Sequence, residues 1–543
     1  MRASMILFAR ASRRAAQAVG LLLAGAAQAA VPGIGGAAGA PAFDLVAAPG
    51  YVTQPDGTSI YSWGYGCNST AGNTFLPANV PNAKCPSGQM QLPGPTLIVH
   101  QGDTVTVKLK NSLPAAAGNT SILFPGFDVS TAVASPGVAG LLTREAAIGG
   151  SVTYTFVAGT PGTHVYYSGT RGDLQVEMGL YGALIVLPAG SSGTPLNGAV
   201  PSGYVPPTAA QRLPNSCRAV SALAPNGHKD FRLAAAAYNH PSACYDREYL
   251  FQFSEIDPGI HRQAEAQRNL ACSKPTGCML VLTEPYVPAY FMVNGRSMPD
   301  LMDPNYAPQY PNQPYNGNPH IHPGELMLLR IAGTGRWQHP FHEHGNHVRV
   351  LARDGNLLLS PGGKLAGPLL FTTTTTPGQT LDGIFQWTGK GLNWDVYAHT
   401  AGYDAPCIPD ANGYHTRMVG VGSTASYTDA NYFEWCGDHG KALEAKPFGA
   451  VGGGGPITLP DANLLANGPW YGGSPYLGAE ATARAVGATP IPPSGTVANS
   501  QASFAYMWHS HNEREITTNN AFPGGMMMMM LVDHWLNEIN EAN

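Results

Sequence analysis

Two short stretches hold the residues best suited to chemistry. His339-Pro340-Phe341-His342-Glu343-His344-Gly345 contains a His-x-His, and Trp508-His509-Ser510-His511 contains another far downstream. Side chains alternate faces along a β-strand, so the two histidines of each pair point the same way. Laid side by side, two such strands would converge His342, His344, His509 and His511 on one spot. Neutral imidazole is a good ligand for copper, zinc or nickel. One His-x-His is a weak signal, since a pair of surface or core histidines reads the same way. Two in one chain, the first inside HPxHxHG, point to a metal centre.

Other residues compete for a place in that centre, each against a plainer reading. His339 opens the first motif, and His347 lies close behind it. His399 follows Trp394-Asp395-Val396-Tyr397, which echoes His164-Val165-Tyr166-Tyr167. His320 and His322 form a further His-x-His before a turn, where structural hydrogen bonding is the expected role. Glu343 alternates away from its flanking histidines. Glu513 and Glu515, just beyond His511, are the weaker candidates for orienting an imidazole or moving a proton, and no catalytic residue is otherwise assigned. The run Met526–Met530 offers soft thioethers for Cu(I), but it also reads as a buried strand, with alternate side chains on opposite faces.

Positioning these residues requires strands. Gly94-Pro95-Thr96-Leu97-Ile98-Val99-His100 runs into a turn at Gly102-Asp103, and Thr104–Leu109 then alternates Thr and Lys with Val and Leu as a half-buried strand should. Further strands are expected at Thr120–Phe124, Ser151–Phe156, Gly162–Tyr167 and Gly182–Leu187. Short strands joined by Gly/Pro turns predict an all-β, Greek-key sandwich or barrel. From Tyr290 the pattern repeats. His100-Gln101-Gly102-Asp103 answers to His322-Pro323-Gly324-Glu325, Gly126 to Gly345, and Tyr167-Ser168-Gly169 to His509-Ser510-His511. Such repetition predicts two copies of one fold. The first copy carries Leu123, Pro125, Tyr167 and Gly169 where the second carries histidines.

The expected organisation is a signal peptide over 1–29, a first unit over 42–190 and a second over 286–543. A connecting region, 191–285, holds the strand Glu248–Phe253 and could be a reduced middle domain. Within the second unit, an insertion over about 400–503 either caps the histidines or decorates the surface. Arg2, Arg10, Arg13 and Arg14 precede the apolar run Ala18–Ala27, and Ala27-Gln28-Ala29 offers a cleavage site, so a periplasmic or extracellular destination is expected. Loss of those arginines would take the net charge from −5 to about −9, and nothing suggests a nucleic-acid partner. Beyond the leader no stretch is expected to span a membrane, and the oligomeric state is not legible. The 8 cysteines suit an oxidising compartment, with neighbours in order the natural pairs: Cys67 with Cys85, Cys217 with Cys244, Cys272 with Cys278, Cys407 with Cys436.

GPTLIVHQGDTVTVKLKNSL, GLYGALIVLP, YFMVNGRSMPD, PGELMLLRI and HPFHEHG together resemble the multicopper oxidases, which are built from cupredoxin domains. The resemblance implies a cupredoxin-like fold, secretion, a copper cofactor, and oxidation of a small molecule or metal ion coupled to reduction of dioxygen. It further implies that His339 matches a ligand of the type 1 (blue) copper, and that His342, His344, His509 and His511 match trinuclear-cluster ligands. Two departures stand out: Ser510 occupies the type 1 cysteine position, and Ile516 is found where a second type 1 histidine is expected. The blue centre draws its character from a soft cysteine sulfur, which a serine hydroxyl does not supply. The sequence therefore predicts an exported copper protein with a reduced, histidine-only site and no blue copper. It is either an oxidoreductase or a non-catalytic copper-binding or structural protein.

Overall fold

The computed structural model describes residues 31–77, 80–188, 235–240, 243–390, 407–414, 435–438, 473–476, 503–533 and 539. The expected signal peptide, Cys217, His399 and most of the insertion lie outside these residues.

Two β-sandwiches follow one another, and they share a strand order. In the first, one sheet runs Ser59–Ser69, Ala42–Thr53, Thr104–Asn111, Ser151–Val157 and Ser130–Pro136. Its counterpart in the second runs Tyr290–Val293, Arg247–Ile256, Leu326–Gly333, Thr380–Gln386 and Val348–Arg353. Each has one parallel pairing in the same place, Ala42–Thr53 with Thr104–Asn111 and Arg247–Ile256 with Leu326–Gly333. The facing sheets correspond as well. Leu97–His100 lies parallel to Tyr181–Leu187, as His320–Ile321 does to Met527–Val532, and Gly162–Tyr167 answers to Ser503–Ser510. The expectation of an all-β fold is met.

Local chemistry explains the elements. Thr104–Asn111 buries every second residue, as its alternating sequence demands. Tyr181–Leu187 is buried along its whole length and correspondingly apolar throughout. The paired turns are built alike: the His100 amide donates to Asp103 Oδ2 at 2.8 Å, and the His322 amide to Glu325 Oε2 at 2.8 Å. Gly102 and Gly324 supply the positive φ that each turn requires.

Two expectations change. Thr120–Phe124 is not a strand: Thr120 bridges Ala146 while Leu123 bridges Tyr167, and the Ile122 amide donates to the Tyr154 hydroxyl. Its backbone groups are satisfied by separate partners, so no continuous ladder forms. Glu248–Phe253, read as part of a connecting region, belongs to Arg247–Ile256, which is hydrogen-bonded on both sides within the second sandwich.

The sandwiches meet through polar contacts at Gly162–Tyr167. The Thr163 amide and hydroxyl donate to Asp382 at 3.0 and 2.6 Å, and the hydroxyl of Thr380 donates to the Thr163 carbonyl at 2.6 Å. Arg330, fully buried, reaches Thr163 Oγ1 while pairing with Glu248 at 2.8 Å, so its charge is compensated. Disulfides join Cys67–Cys85, Cys272–Cys278 and Cys407–Cys436, and Cys244 is also disulfide-bonded. Among the described residues no helix is long and apolar enough to cross a membrane.

Candidate metal centre

His339–Glu343 and Ser503–Ser510 are antiparallel neighbours, with His342 opposite His509, Phe341 opposite Ser510 and Glu343 opposite Trp508. Alternation then sorts the side chains. Phe341 and Trp508 enter the core of the second sandwich, while His342 and His509 stand on the other face. His344 follows the end of one strand and His511 the end of the other. The His511 amide donates to the Pro340 carbonyl at 2.8 Å, and the Trp508 indole donates to the His344 carbonyl at 2.8 Å. Gly345 turns the chain away at φ +100°, where a Cβ would sit 3.0 Å from the Tyr506 ring.

The four rings gather closely. Centroids lie 4.8 Å apart for His342 and His344, 5.0 Å for His342 and His511, 5.2 Å for His344 and His509, and 5.5 Å for His342 and His509. Nε2 of His344 is 3.3 Å from Nε2 of His509. Two nitrogens bound to one ion at about 2 Å each stand roughly 3 Å apart, so this spacing fits a shared metal. One ligand atom each from His342, His344 and His509 falls within 4.8 Å of the others.

Outer contacts aim the rings. Nδ1 of His509 donates to the Ser510 carbonyl at 2.8 Å, leaving Nε2 to face the cluster. Nδ1 of His342 lies 2.7 Å from Thr372 Oγ1. Burial, with the neighbouring imidazoles adding to it, pushes His342 down to about 4, and burial likewise lowers His509. Both stay neutral, the form that binds metal. His342 and His509 are buried and His344 half-buried, whereas the His511 side chain is 57% exposed, with Glu513 Oε1 4.0 Å from its Nδ1. The cluster therefore opens toward solvent at His511.

The remaining candidates separate. His339 faces the core, its Nδ1 donating to Glu515 Oε2 at 2.9 Å and its Nε2 to Glu255 Oε2 at 3.0 Å. Burial alone would lower its pKa, but these two carboxylates outweigh it and hold the ring as an imidazolium, at about 9. Glu515 Oε2 also accepts from Ser510 Oγ at 2.5 Å. So Glu515, not Ile516, is the residue beside His339 and Ser510. His347 packs 5.2 Å from Phe371, which in turn lies 5.7 Å from His342. His320 Nδ1 pairs with Asp533 at 2.5 Å, and His322 Nδ1 is 2.9 Å from the Asp533 carbonyl, the structural roles expected of them. Glu343 is buried and takes a hydrogen bond from Thr373 at 2.5 Å; burial raises it to about 8. Sequence reasoning missed Thr372, Glu255 and Phe371. Thr372 sits in a run of identical threonines, which hides the one that matters.

Residues 73–191 match a family model described as multicopper oxidase. The chain resembles the multicopper oxidases. Over 98 residues it is 37% identical to Laccase 1 of Metarhizium acridum, covering 18% of this chain and 15% of that protein. Over 106 residues it is 37% identical to L-ascorbate oxidase of Brassica rapa subsp. pekinensis, covering 20% of this chain and 18% of that one. The matched stretch thus spans less than a fifth of these relatives. A blue copper oxidase from Nitrosomonas europaea superposes with a TM-score of 0.42 at 14% identity, covering 90% of this chain and 85% of that one. The family-model match ends at residue 191, whereas the histidine cluster begins at His342, in the second sandwich.

Proposed function

We propose that the protein is an exported copper-dependent oxidoreductase that binds copper through His342, His344, His509 and His511. The single observation that carries this reading is the 3.3 Å approach of the His344 and His509 Nε2 atoms inside a ring of four imidazoles. An all-imidazole donor set suits copper, and the resemblance of the first sandwich to multicopper oxidases favours copper over zinc. Copper, when bound, would supply one-electron chemistry between a small reducing substrate or metal ion and dioxygen.

The protein's own groups have definite parts. Thr372 and the Ser510 carbonyl orient His342 and His509. His511, exposed at the mouth, admits substrate to direct contact with the site, and Glu513 beside it can hold a proton released there. No blue centre is proposed: Ser510, Glu515 and His339 are bonded to one another in its place, and none of them brings a thiolate. That closed network supports a second reading, a copper-binding protein that performs no turnover.

Metal analysis of the purified protein, followed by oxygen uptake with phenols, Mn(II), Fe(II) or Cu(I), tests both. Copper bound with oxygen consumed supports the oxidoreductase. A fully loaded protein that consumes none leaves the binder, and failure to bind copper removes both.

A further inference from the structure

The methionine run divides between the two faces of its strand. Met528 is opposite Trp508 and Met530 opposite Tyr506, and these belong to the core of the second sandwich, as does Met526. On the other face Met527 is opposite His509, and Met529 is opposite Met507. Residues paired in register share a face, so Met507, Met527 and Met529 stand on the histidine side of the sheet, in line with His509 and His342. Met507 and Met529 are half-buried, and Met527 is 7% exposed. The core-face methionines are accounted for by packing against aromatic rings. On the histidine side, Met507 and Met529 remain within reach of solvent.

We propose that Met507, Met527 and Met529 form a soft-donor site for Cu(I) adjoining the histidine cluster. Directly opposed side chains in an antiparallel pair have Cβ atoms about 5 Å apart, and diagonal ones about 7 Å. Methionine reaches across such gaps with three rotatable bonds, and its polarisable sulfur prefers a soft monovalent cation to a divalent one. Met527 lies directly across from His509, so the thioether row begins where the imidazoles end. The sheet face therefore grades from sulfur donors to nitrogen donors, with a place for reduced copper beside a place for oxidised copper. This deepens the copper reading of the histidines without depending on it, since the thioethers bind Cu(I) whether or not the imidazoles bind Cu(II).

The test is an anaerobic Cu(I) titration of the full chain against a chromogenic Cu(I) chelator, with Ag(I) as a redox-inert check. Met507→Leu/Met529→Leu is expected to weaken Cu(I) and Ag(I) binding roughly a hundredfold, at least the cost of losing an orienting partner. Met528→Leu/Met530→Leu, on the core face, is expected to leave that binding unchanged. Leucine conserves volume, so both variants should fold, and their thermal midpoints check it. Copper-edge X-ray absorption of the Cu(I) form is expected to show sulfur neighbours that the first variant loses. Unchanged Cu(I) affinity in Met507→Leu/Met529→Leu, or a bound Cu(I) without sulfur neighbours, overturns the proposal. Cu(II) spin resonance on the unsubstituted protein reads the histidine cluster separately: a missing Cu(II) signal, with sulfur-ligated Cu(I) still bound, would remove the histidine reading and leave the thioether site standing.

Discussion

Oε2 of Glu515 lies 2.9 Å from Nδ1 of His339 and, on its other side, 2.5 Å from Oγ of Ser510. One carboxylate oxygen thus ties the strand bearing His342 to the strand bearing His509. It does so from the core side, behind the imidazole cluster.

This tie makes stability depend on pH with a definite sign. His339 titrates at about 9 in the fold against an ordinary 6.5, so its contribution is complete below about pH 6.5 and is lost as pH rises through 9. The loss is on the order of 3 kcal/mol. Glu515→Gln, which removes one of the two carboxylates, should flatten that slope. Metal-free protein unfolded with denaturant at about pH 6, 8 and 9.5 provides the measurement.

Glu343 adds a slope of the same sign over a lower range. Its carboxyl sits at about 8 instead of 4.5, so the fold carries the proton longer than the unfolded chain does, and stability declines from about pH 4.5 to 8. Glu343→Gln keeps the shape without the charge. It should be near neutral at pH 4.5 and stabilising above pH 8, as melting curves of the two proteins at both pH values would show.

Thr372 holds His342 by its Nδ1, 2.7 Å away, on the side of the ring opposite Nε2. Thr372→Val should cost about 10–100-fold in Cu(II) affinity while leaving the thermal midpoint of the metal-free protein nearly unchanged. A competition titration with a Cu(II) chelator gives the ratio.

The two histidine pairs should not respond equally to truncation. His344 is half-buried and closest to its partner, whereas His511 is at the solvent edge. His344→Ala should abolish stoichiometric copper binding, and His511→Ala should weaken it while changing the spin-resonance parameters of what remains. Metal analysis after dialysis separates the two outcomes.

Gly345→Ala should destabilise the protein by about 1–3 kcal/mol, because the position combines a left-handed φ with a contact 3.0 Å from Tyr506. The strand it follows carries His342, so copper affinity should fall alongside the melting temperature.

The sequence makes the repeated turns legible, because each is written in local residues: an acidic side chain three positions after a histidine receives that residue's own amide in both sandwiches. The convergence of the imidazoles was readable for the same reason, since alternation along a strand is fixed by backbone geometry. Partners chosen at a distance were not. Arg247–Ile256 finds its place through pairing with Tyr290–Val293 and with Leu326–Gly333, the latter some eighty residues on. Glu515 sits one position before the residue that spacing singled out. Its role depends on a short 3-10 turn, Glu513–Ile516, that aims it inward.

His344 and His509, whose Nε2 atoms stand 3.3 Å apart, are separated by 165 residues of chain. Ribosomes release them in sequence, so His342 and His344 emerge well before His509 and His511. Half a donor set grips a cation weakly, and closure of so long a loop is slow. Were the four imidazoles to hold copper, the donor set would be complete only once both strands had been made and paired.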